Sequence, residues 1–429
     1  MIERVVIAGG GSGGHLFPGI AVVEELRRRN PAVRVLFVGT ERGIEARLLP
    51  KLGESLALLD VKPLIGRSPT QLVSSVARLP RSAAKAFALL RRERPQVVLG
   101  LGGYASGPLL ATAAAMRLPT ALLEQNAQVG LTNRMLAHTV GRAYLTYAET
   151  QVLFGDRRAR VLGNPVRRAF VEASKLAYHD PAGADAREKK RILVIGGSQG
   201  ARCLNEMVPD ALAQAGVVDL GVDVLHQTGQ SMVEEVTRRY RELGIRAQVV
   251  PFIDDMAKAY REAGLLIARA GATTLAELCA IGRAAILIPF PFAAEDHQLR
   301  NAQALARMGA AVALPEPGLE VGQLAGEVRD LLLNRERRQQ MAGASRALAR
   351  PEAAAAIVDD LQEWLRLTDD GMPGPGSPQD WNASGGMGAA GTGEESAQGA
   401  AGVTRRARVR RRSQLRIRPV DGGMAEAAQ

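Results

Sequence analysis

Hydrophobic residues fall into short unbroken runs that alternate with longer stretches apolar on one helical face. Val5–Ala8 is the first such run. It ends on Gly9-Gly10-Gly11-Ser12-Gly13-Gly14-His15, after which Pro18–Arg27 keeps its apolar residues at helical spacing. Val33–Val38 follows, so strand, glycine loop, helix and strand read as one βαβ unit. Val97–Leu101 runs into Gly102-Gly103-Tyr104, and Thr120–Leu123 into Glu124-Gln125-Asn126. The pattern then restarts. Arg191–Ile195 meets Gly196-Gly197-Ser198-Gln199-Gly200-Ala201-Arg202 and a helical stretch through Leu212. Strands follow near Val222–Gln227, Ala247–Val250, Leu265–Ala268 and Ala285–Pro289, with helices between them. Two alternating halves predict an α/β protein with two doubly wound parallel sheets. The polar stretch Ala173–Lys190 is the expected linker. Pro351–Leu367 is a last helix, apolar through Ala355, Val358, Leu361, Trp364 and Leu365. Beyond it, Gly371–Gly402 holds ten glycines in thirty-two residues and cannot bury enough apolar surface to order itself.

Composition bounds the partners. With 429 residues and 46% hydrophobic content, the chain can build two or three packed domains. Its formal net charge is +11, of which the stretch from Thr368 contributes only +1, so the body is basic. A basic body suits nucleotides, phospholipids or nucleic acid, and equally a solvated Arg-rich surface. The patch Arg405–Arg418 has the same readings. Cys203 and Cys279 make neither a metal-ligand spacing nor a disulfide framework, as expected in a reducing cytoplasm. The first strand reaches its glycines too soon for a signal peptide, and no apolar run approaches the roughly 20 residues that span a bilayer. The chain reads as soluble or peripheral.

Candidate chemistry sits where strands turn into helices. Backbone N–H groups at such turns favour negative charge, and one glycine loop in each half would give a cleft two anion-friendly walls. Glycines that merely permit tight turns are the alternative. An oxidoreductase would want an acid at the end of the second strand, where Glu41 comes somewhat late. His15, at a helix start, is favoured as neutral imidazole and suits proton abstraction from a hydroxyl; a loop histidine that only binds backbone is the other reading. Arg269-Ala270-Gly271-Ala272-Thr273-Thr274-Leu275-Ala276-Glu277 opens a helix with small and hydroxyl side chains suited to phosphate oxygens. Glu277 reads as a ribose ligand or as half of a capping box with Thr274. Glu295–Asn301 follows a strand end, where α/β sheets bind ligands. No Asp-x-Asp occurs, so a metal-bridged diphosphate is unsupported, and a leaving diphosphate would rely on dipoles, hydroxyls and arginines.

Taken in order, Gly10–His15, Gly102–Pro108, Glu124-Gln125-Asn126, Gly163-Asn164-Pro165-Val166-Arg167, Gly196–Ala201, Phe252–Met256, Ala270–Glu277 and Asp296–Asn301 resemble the bacterial lipid II synthases. The resemblance covers residues 1 to 367. It implies a GT-B fold: a domain over 1–168 for the acceptor, a donor domain over 169–350, a helix 351–367 crossing back onto the first, and a tail 368–429 without counterpart. It implies inverting, metal-independent transfer of N-acetylglucosamine from UDP-N-acetylglucosamine to the 4-hydroxyl of the muramyl sugar of lipid I, with no cofactor. Ser12, Gly13, Gly14, Asn126, Arg167, Ser198, Ile253, Ala272, Thr273, Thr274, Leu275, Ala276, Glu277 and Gln298 would contact the donor, Ile253 through its backbone at the uracil and Glu277 at the ribose. His15 matches the family's loop histidine, and Glu124 is a second candidate base. Ala293-Ala294-Glu295 departs from the family's pattern, which leaves the contacts just before Gln298 open.

A lipid-linked acceptor calls for a membrane-facing surface at the cytoplasmic side. Pro63–Arg94 carries Arg67, Arg78, Arg81, Lys85, Arg91, Arg92 and Arg94 against the single acid Glu93, interleaved with Leu72, Val73, Val76, Leu79, Phe87, Leu89 and Leu90. Such a segment can lie on an anionic membrane surface, or simply pack on a sheet. No nucleic-acid partner is expected. Rival functions on this fold are another lipid glycosyltransferase, a nucleotide-sugar epimerase, and a non-catalytic nucleotide-sugar sensor.

Overall fold

The computed structural model describes residues 1–41, 43–61, 79–176, 191–197, 199–293 and 296–369. Seven strands make the first sheet: β1 (Arg4–Ala8), β2 (Arg34–Gly39), β3 (Leu56–Leu58), β4 (Val97–Gly100), β5 (Thr120–Glu124), β6 (Arg142–Leu145) and β7 (Ala159–Val161). Their order is β3-β2-β1-β4-β5-β6-β7. A second sheet holds β8 (Arg191–Ile195), β9 (Asp223–Gln227), β10 (Ala247–Val250), β11 (Leu265–Ala268), β12 (Ala284–Leu287) and β13 (Val312–Ala313), in the order β10-β9-β8-β11-β12-β13. Neighbours pair in parallel throughout, as in Val5–Val35 and Val5–Val97 of the first sheet and Leu265–Ile192 of the second. Fully buried strands explain the unbroken apolar runs: a parallel sheet covered on both faces has no polar side to alternate with.

Both sheets reverse their order beside the first strand, between β1 and β4 and between β8 and β11. A crevice opens at such a switch point, outside the carboxyl ends of the strands. The loops there begin at Gly9, Leu101, Gly196 and Arg269, which gathers segments far apart in sequence around one place.

The last helix, Ala353–Asp369, leaves the second sheet's sequence neighbourhood and packs on the first sheet. Ile357, Val358, Leu361, Trp364 and Leu365 join a core with Leu16, Val23, Leu99 and Tyr144. Trp364 fills the space over Gly141, where a Cβ would lie 2.4 Å from the indole ring. Asp360 fixes the helix's register. It accepts from the Arg142 Nε at 3.0 Å, the Tyr144 hydroxyl at 2.8 Å and the Arg160 Nε at 3.1 Å. Among the described residues no helix is long and apolar enough to cross a membrane.

Candidate active site

The first loop is shaped by close approach. Gly103 has φ +77°, and a Cβ on it would lie 2.6 Å from the Gly10 carbonyl oxygen, so only glycine lets the loops after β1 and β4 touch. Ser12 caps the helix Gly13–Arg29 in an extended conformation, and its carbonyl accepts from the His15 and Leu16 amides. His15 is therefore held in the first turn, half-buried.

Its tautomer follows from its neighbours. Gln125 donates its Nε2 to the Leu101 carbonyl at 3.0 Å, which turns its Oε1 toward His15 Nδ1 at 3.2 Å. Facing an acceptor, Nδ1 carries the proton, and Nε2 on the far side of the ring is the basic nitrogen. Burial lowers the ring's pKa below its ordinary value, opposed by the Gln125 and Leu101 contacts and the Glu45 charge. The ring is thus neutral and able to accept a proton at neutral pH.

Glu124 has a different setting. It is 2% exposed, and its Oε1 accepts from the Asn126 amide and side chain, its Oε2 from the Gly130 amide and Asn133 Nδ2. Burial pushes its pKa up, and these donors push back. Four donors on two oxygens tie the carboxylate to its own loop and shape the Asn126–Gly130 turn.

The second domain brings its loops to the same place. Thr273 donates its hydroxyl to the Gly14 carbonyl at 3.1 Å. Pro18 makes this contact available: it sits inside the helix and has no N–H, so Gly14 lacks the donor four residues on that an ordinary helix supplies. Asn301 bridges likewise, donating to Asn126 Oδ1 at 3.2 Å and accepting from the Ala127 amide at 2.9 Å. Arg167 spans the junction. Its Nε and one terminal nitrogen both donate to Glu277 Oε1, at 3.1 and 2.6 Å, while the guanidinium carbon lies 4.6 Å from the Phe17 ring centre and 5.1 Å from that of Phe170.

The Arg167 pairing removes one reading of Glu277. The cap of the helix Ala272–Ile281 is Gly271, so Thr274 and Glu277 form no capping box. Burial raises the Glu277 pKa, against the pull of Arg167. Ala272, Thr273 and Leu275 are buried in this turn, Thr274 and Ala276 half-buried. Ile253 is buried in the second domain's core. Gln298 is half-buried and accepts from the Phe290 amide at 3.0 Å. Gly200 and Gly229 close the second glycine loop against β9: a Cβ on Gly200 would lie 1.8 Å from the Thr228 carbonyl oxygen. Ser198, Ala294 and Glu295 lie outside the described residues. Among the described residues no group of three or more His, Cys, Asp or Glu side chains could hold a metal ion.

The structure thus gathers His15, Gly14, Asn126, Arg167, Thr273 and Glu277 at one junction. The pattern of residues did not single out Glu45, Asn133 or Phe17. Glu45 is buried with its carboxylate under the first loop, whereas Glu41, the acid nearer the end of β2, is exposed. The available signal was three glycines, Gly10, Gly39 and Gly43, distributed around one acid.

Residues 5–145 match the glycosyltransferase family 28 N-terminal domain and residues 191–357 its C-terminal domain. The chain belongs to glycosyltransferase family 28. A family 28 relative from Anaeromyxobacter dehalogenans (strain 2CP-C) is 46% identical over 85% of this chain and 93% of its own length. Another, from Syntrophus aciditrophicus, is 44% identical over 86% of this chain and its whole length. Both carry the name UDP-N-acetylglucosamine–N-acetylmuramyl-(pentapeptide) pyrophosphoryl-undecaprenol N-acetylglucosamine transferase. The crystal structure of MurG from Acinetobacter baumannii superposes with a TM-score of 0.69 at 32% identity, over 84% of this chain and 99% of that one. The two parallel-sheet domains of this family 28 hexosyltransferase are those of a GT-B fold.

Proposed function

We infer that this family 28 enzyme transfers N-acetylglucosamine from UDP-N-acetylglucosamine to the muramyl sugar of undecaprenyl-pyrophosphoryl-MurNAc-pentapeptide, lipid I, giving lipid II for peptidoglycan synthesis. Relatives of that name, similar over nearly their full length, support it. At the site, the observation that carries the reading is the fixed tautomer of His15. A neutral imidazole with a basic Nε2, at the junction of two Rossmann-like domains, suits removal of a proton from the muramyl 4-hydroxyl as that oxygen attacks the anomeric carbon. Attack from the face opposite the diphosphate inverts that carbon.

The remaining roles are proposed on the same geometry. The UDP-N-acetylglucosamine donor lies against the second domain, between the Gly196–Ala201 loop with Ser198 and the start of the helix Ala272–Ile281. The N–H groups of Ala272 and Thr273, the Thr274 hydroxyl and the helix dipole stabilise the departing diphosphate. Leu275 and Ala276 line that turn. Arg167 takes Oε1 of Glu277 and leaves Oε2 toward the ribose. Ile253 offers its backbone to the uracil. Ser12, Gly13, Gly14, Asn126 and Gln298 surround the sugar. Glu124 acts here as the holder of the Asn126 loop and not as the base. The domain boundary falls at 168/169, between the last strand of one sheet and the first of the next.

The acceptor's lipid places the enzyme peripherally at the cytoplasmic face of the membrane. On the helix Leu79–Glu93, Ser82, Ala86 and Leu90 face inward, while Arg81, Lys85, Phe87, Arg91 and Arg92 are exposed. That is a basic face with an apolar ring on it, suited to anionic headgroups. Arg67, Leu72, Val73, Val76 and Arg78 lie outside the described residues.

The test incubates purified enzyme with radiolabelled UDP-N-acetylglucosamine and a short-chain lipid I analogue, in EDTA. A labelled disaccharide lipid is the expected product. UDP released without acceptor would indicate an epimerase instead, and donor binding without turnover a sensor.

A further inference from the structure

Three glutamates are buried among the described residues: Glu45, Glu124 and Glu277. The last two have been placed above. Glu45, 0% exposed, opens the short helix Glu45–Lys51, and its carboxylate lies inside the first domain beneath the glycine loop. Its Oε2 accepts from the Gly11 amide at 2.7 Å. Its Oε1 accepts from the Thr40 amide at 2.9 Å and the Thr40 hydroxyl at 3.1 Å. Its neighbours are shaped to admit it. A Cβ on Gly10, Gly39 or Gly43 would lie 2.3, 2.3 or 2.0 Å from an atom of this side chain. A buried charge is costly unless its hydrogen bonds are made, and here three donors from two loops make them.

The clamp has a consequence for the reaction. Gly11, at φ +91°, immediately precedes the Ser12 cap, and Ser12's carbonyl holds the His15 amide. Fixing Gly11 therefore fixes where the helix begins and where the His15 ring stands. We propose that Glu45 is a positioning residue for glycosyl transfer: its carboxylate clamps the Gly11 amide and so sets the placement of His15 against the acceptor hydroxyl. The proposal rests on His15 being the base.

The charged groups around His15 come from several elements. They are Glu45 from its helix, Glu124 at the end of β5 next to Gln125, and the Arg167–Glu277 pair, whose helix touches Gly14. Of these, Glu45 is the one whose charge acts on the ring, favouring its protonated form. Glutamine at position 45 removes that charge and turns an NH₂ toward one of the donors. Aspartate keeps the charge but falls one methylene short of Gly11.

The experiment compares Glu45→Gln, Glu45→Asp, His15→Ala and the double variant Glu45→Gln/His15→Ala in the disaccharide-lipid assay. In Glu45→Gln, kcat falls about 10- to 100-fold with KM for the donor within about two-fold, because placement and not donor binding is lost. The acidic limb of its kcat–pH profile moves to lower pH. Glu45→Asp loses rate with that limb unmoved. In the His15→Ala background Glu45→Gln costs less than about three-fold, because both act through one group. Wild-type kcat in Glu45→Gln, or full additivity in the double variant, overturns the proposal. Should Glu45→Gln not fold, Thr40→Val removes one donor and leaves the charge. It must lower kcat by about three-fold or more, and an unchanged rate is equally fatal. His15→Ala at full rate removes the base reading itself. An inactive His15→Ala beside an unaffected Glu45→Gln removes only the role of Glu45.

Discussion

At position 226 a histidine stands on β9 of the second sheet, 0% exposed, with Nδ1 2.9 Å from the Tyr240 hydroxyl and Nε2 buried without a partner among the described residues. Burial pushes its pKa down to about 3. The unfolded chain takes up this proton near pH 6.5 and the folded chain does not. The stability that neutral His226 permits is therefore complete above pH 6.5 and is lost as pH falls toward 3. At pH 5 the loss is about 2 kcal/mol. Urea midpoints at pH 7 and pH 5 check it: His226→Gln, which cannot titrate, should show about 2 kcal/mol less pH dependence than the wild type. His15, shifted in the same direction, is common to both proteins and cancels. Equal pH dependence in the two would refute the assignment. His226 belongs to β9 and was legible only as part of an apolar strand. Its titration depends on the absence of a partner for Nε2, which is a property of packing. The three buried glutamates make the same point. Glu277 and Glu124 were visible because they belong to recognisable sequence motifs, whereas Glu45 became visible only when three glycines closed around it.

Elements show how a local rule is broken for a distant reason. Proline inside the helix Gly13–Arg29 costs a hydrogen bond, yet the freed Gly14 carbonyl becomes the acceptor for Thr273 of the other domain. The last helix was expected from its period, and its apolar stripe does face a core. Its polar anchor was not legible, since Asp360 looks like any helix-surface acid until Arg142, Tyr144 and Arg160 converge on it. Arg142 is only 3% exposed in this pair. Asp360→Ala removes the carboxylate that this buried guanidinium, the Tyr144 hydroxyl and Arg160 share, and should cost about 3 kcal/mol of stability. Thermal unfolding measures the loss. Asp359→Ala, on the same helix but 69% exposed, should cost less than about 1 kcal/mol, and equal effects would mean that burial is not what matters.

For the whole molecule, the prediction concerns the membrane. Each cation near an anionic surface contributes about 1 kcal/mol, so Arg81→Gln/Lys85→Gln should weaken binding to vesicles rich in anionic lipid by roughly 30-fold. Raised salt should weaken the wild type similarly, with neutral vesicles bound poorly throughout. Sedimentation with vesicles reads this out, and undiminished binding by the double variant would assign the contact to another surface. Two parallel α/β sheets, their glycine turns and the closing helix were determined by the sequence alone. Buried strands, tight turns and amphipathic helices each leave a local pattern, and those patterns are short-range. The short edge strands β3, β7 and β13 went unread, because two or three residues are too few to carry a period, and so did the interior strand β6, whose four residues open on Arg142 and make no unbroken apolar run. Tertiary structure decided which loops meet, which nitrogen of His15 is basic, that Glu124 holds a loop, and that Glu45 lies beneath Gly11. Apart from the Glu124 contacts, which are local, each of these depends on residues tens to hundreds of positions apart being brought within hydrogen-bond distance. The order of strands in the two sheets does that, and the reversal at the switch points joins the most distant segments.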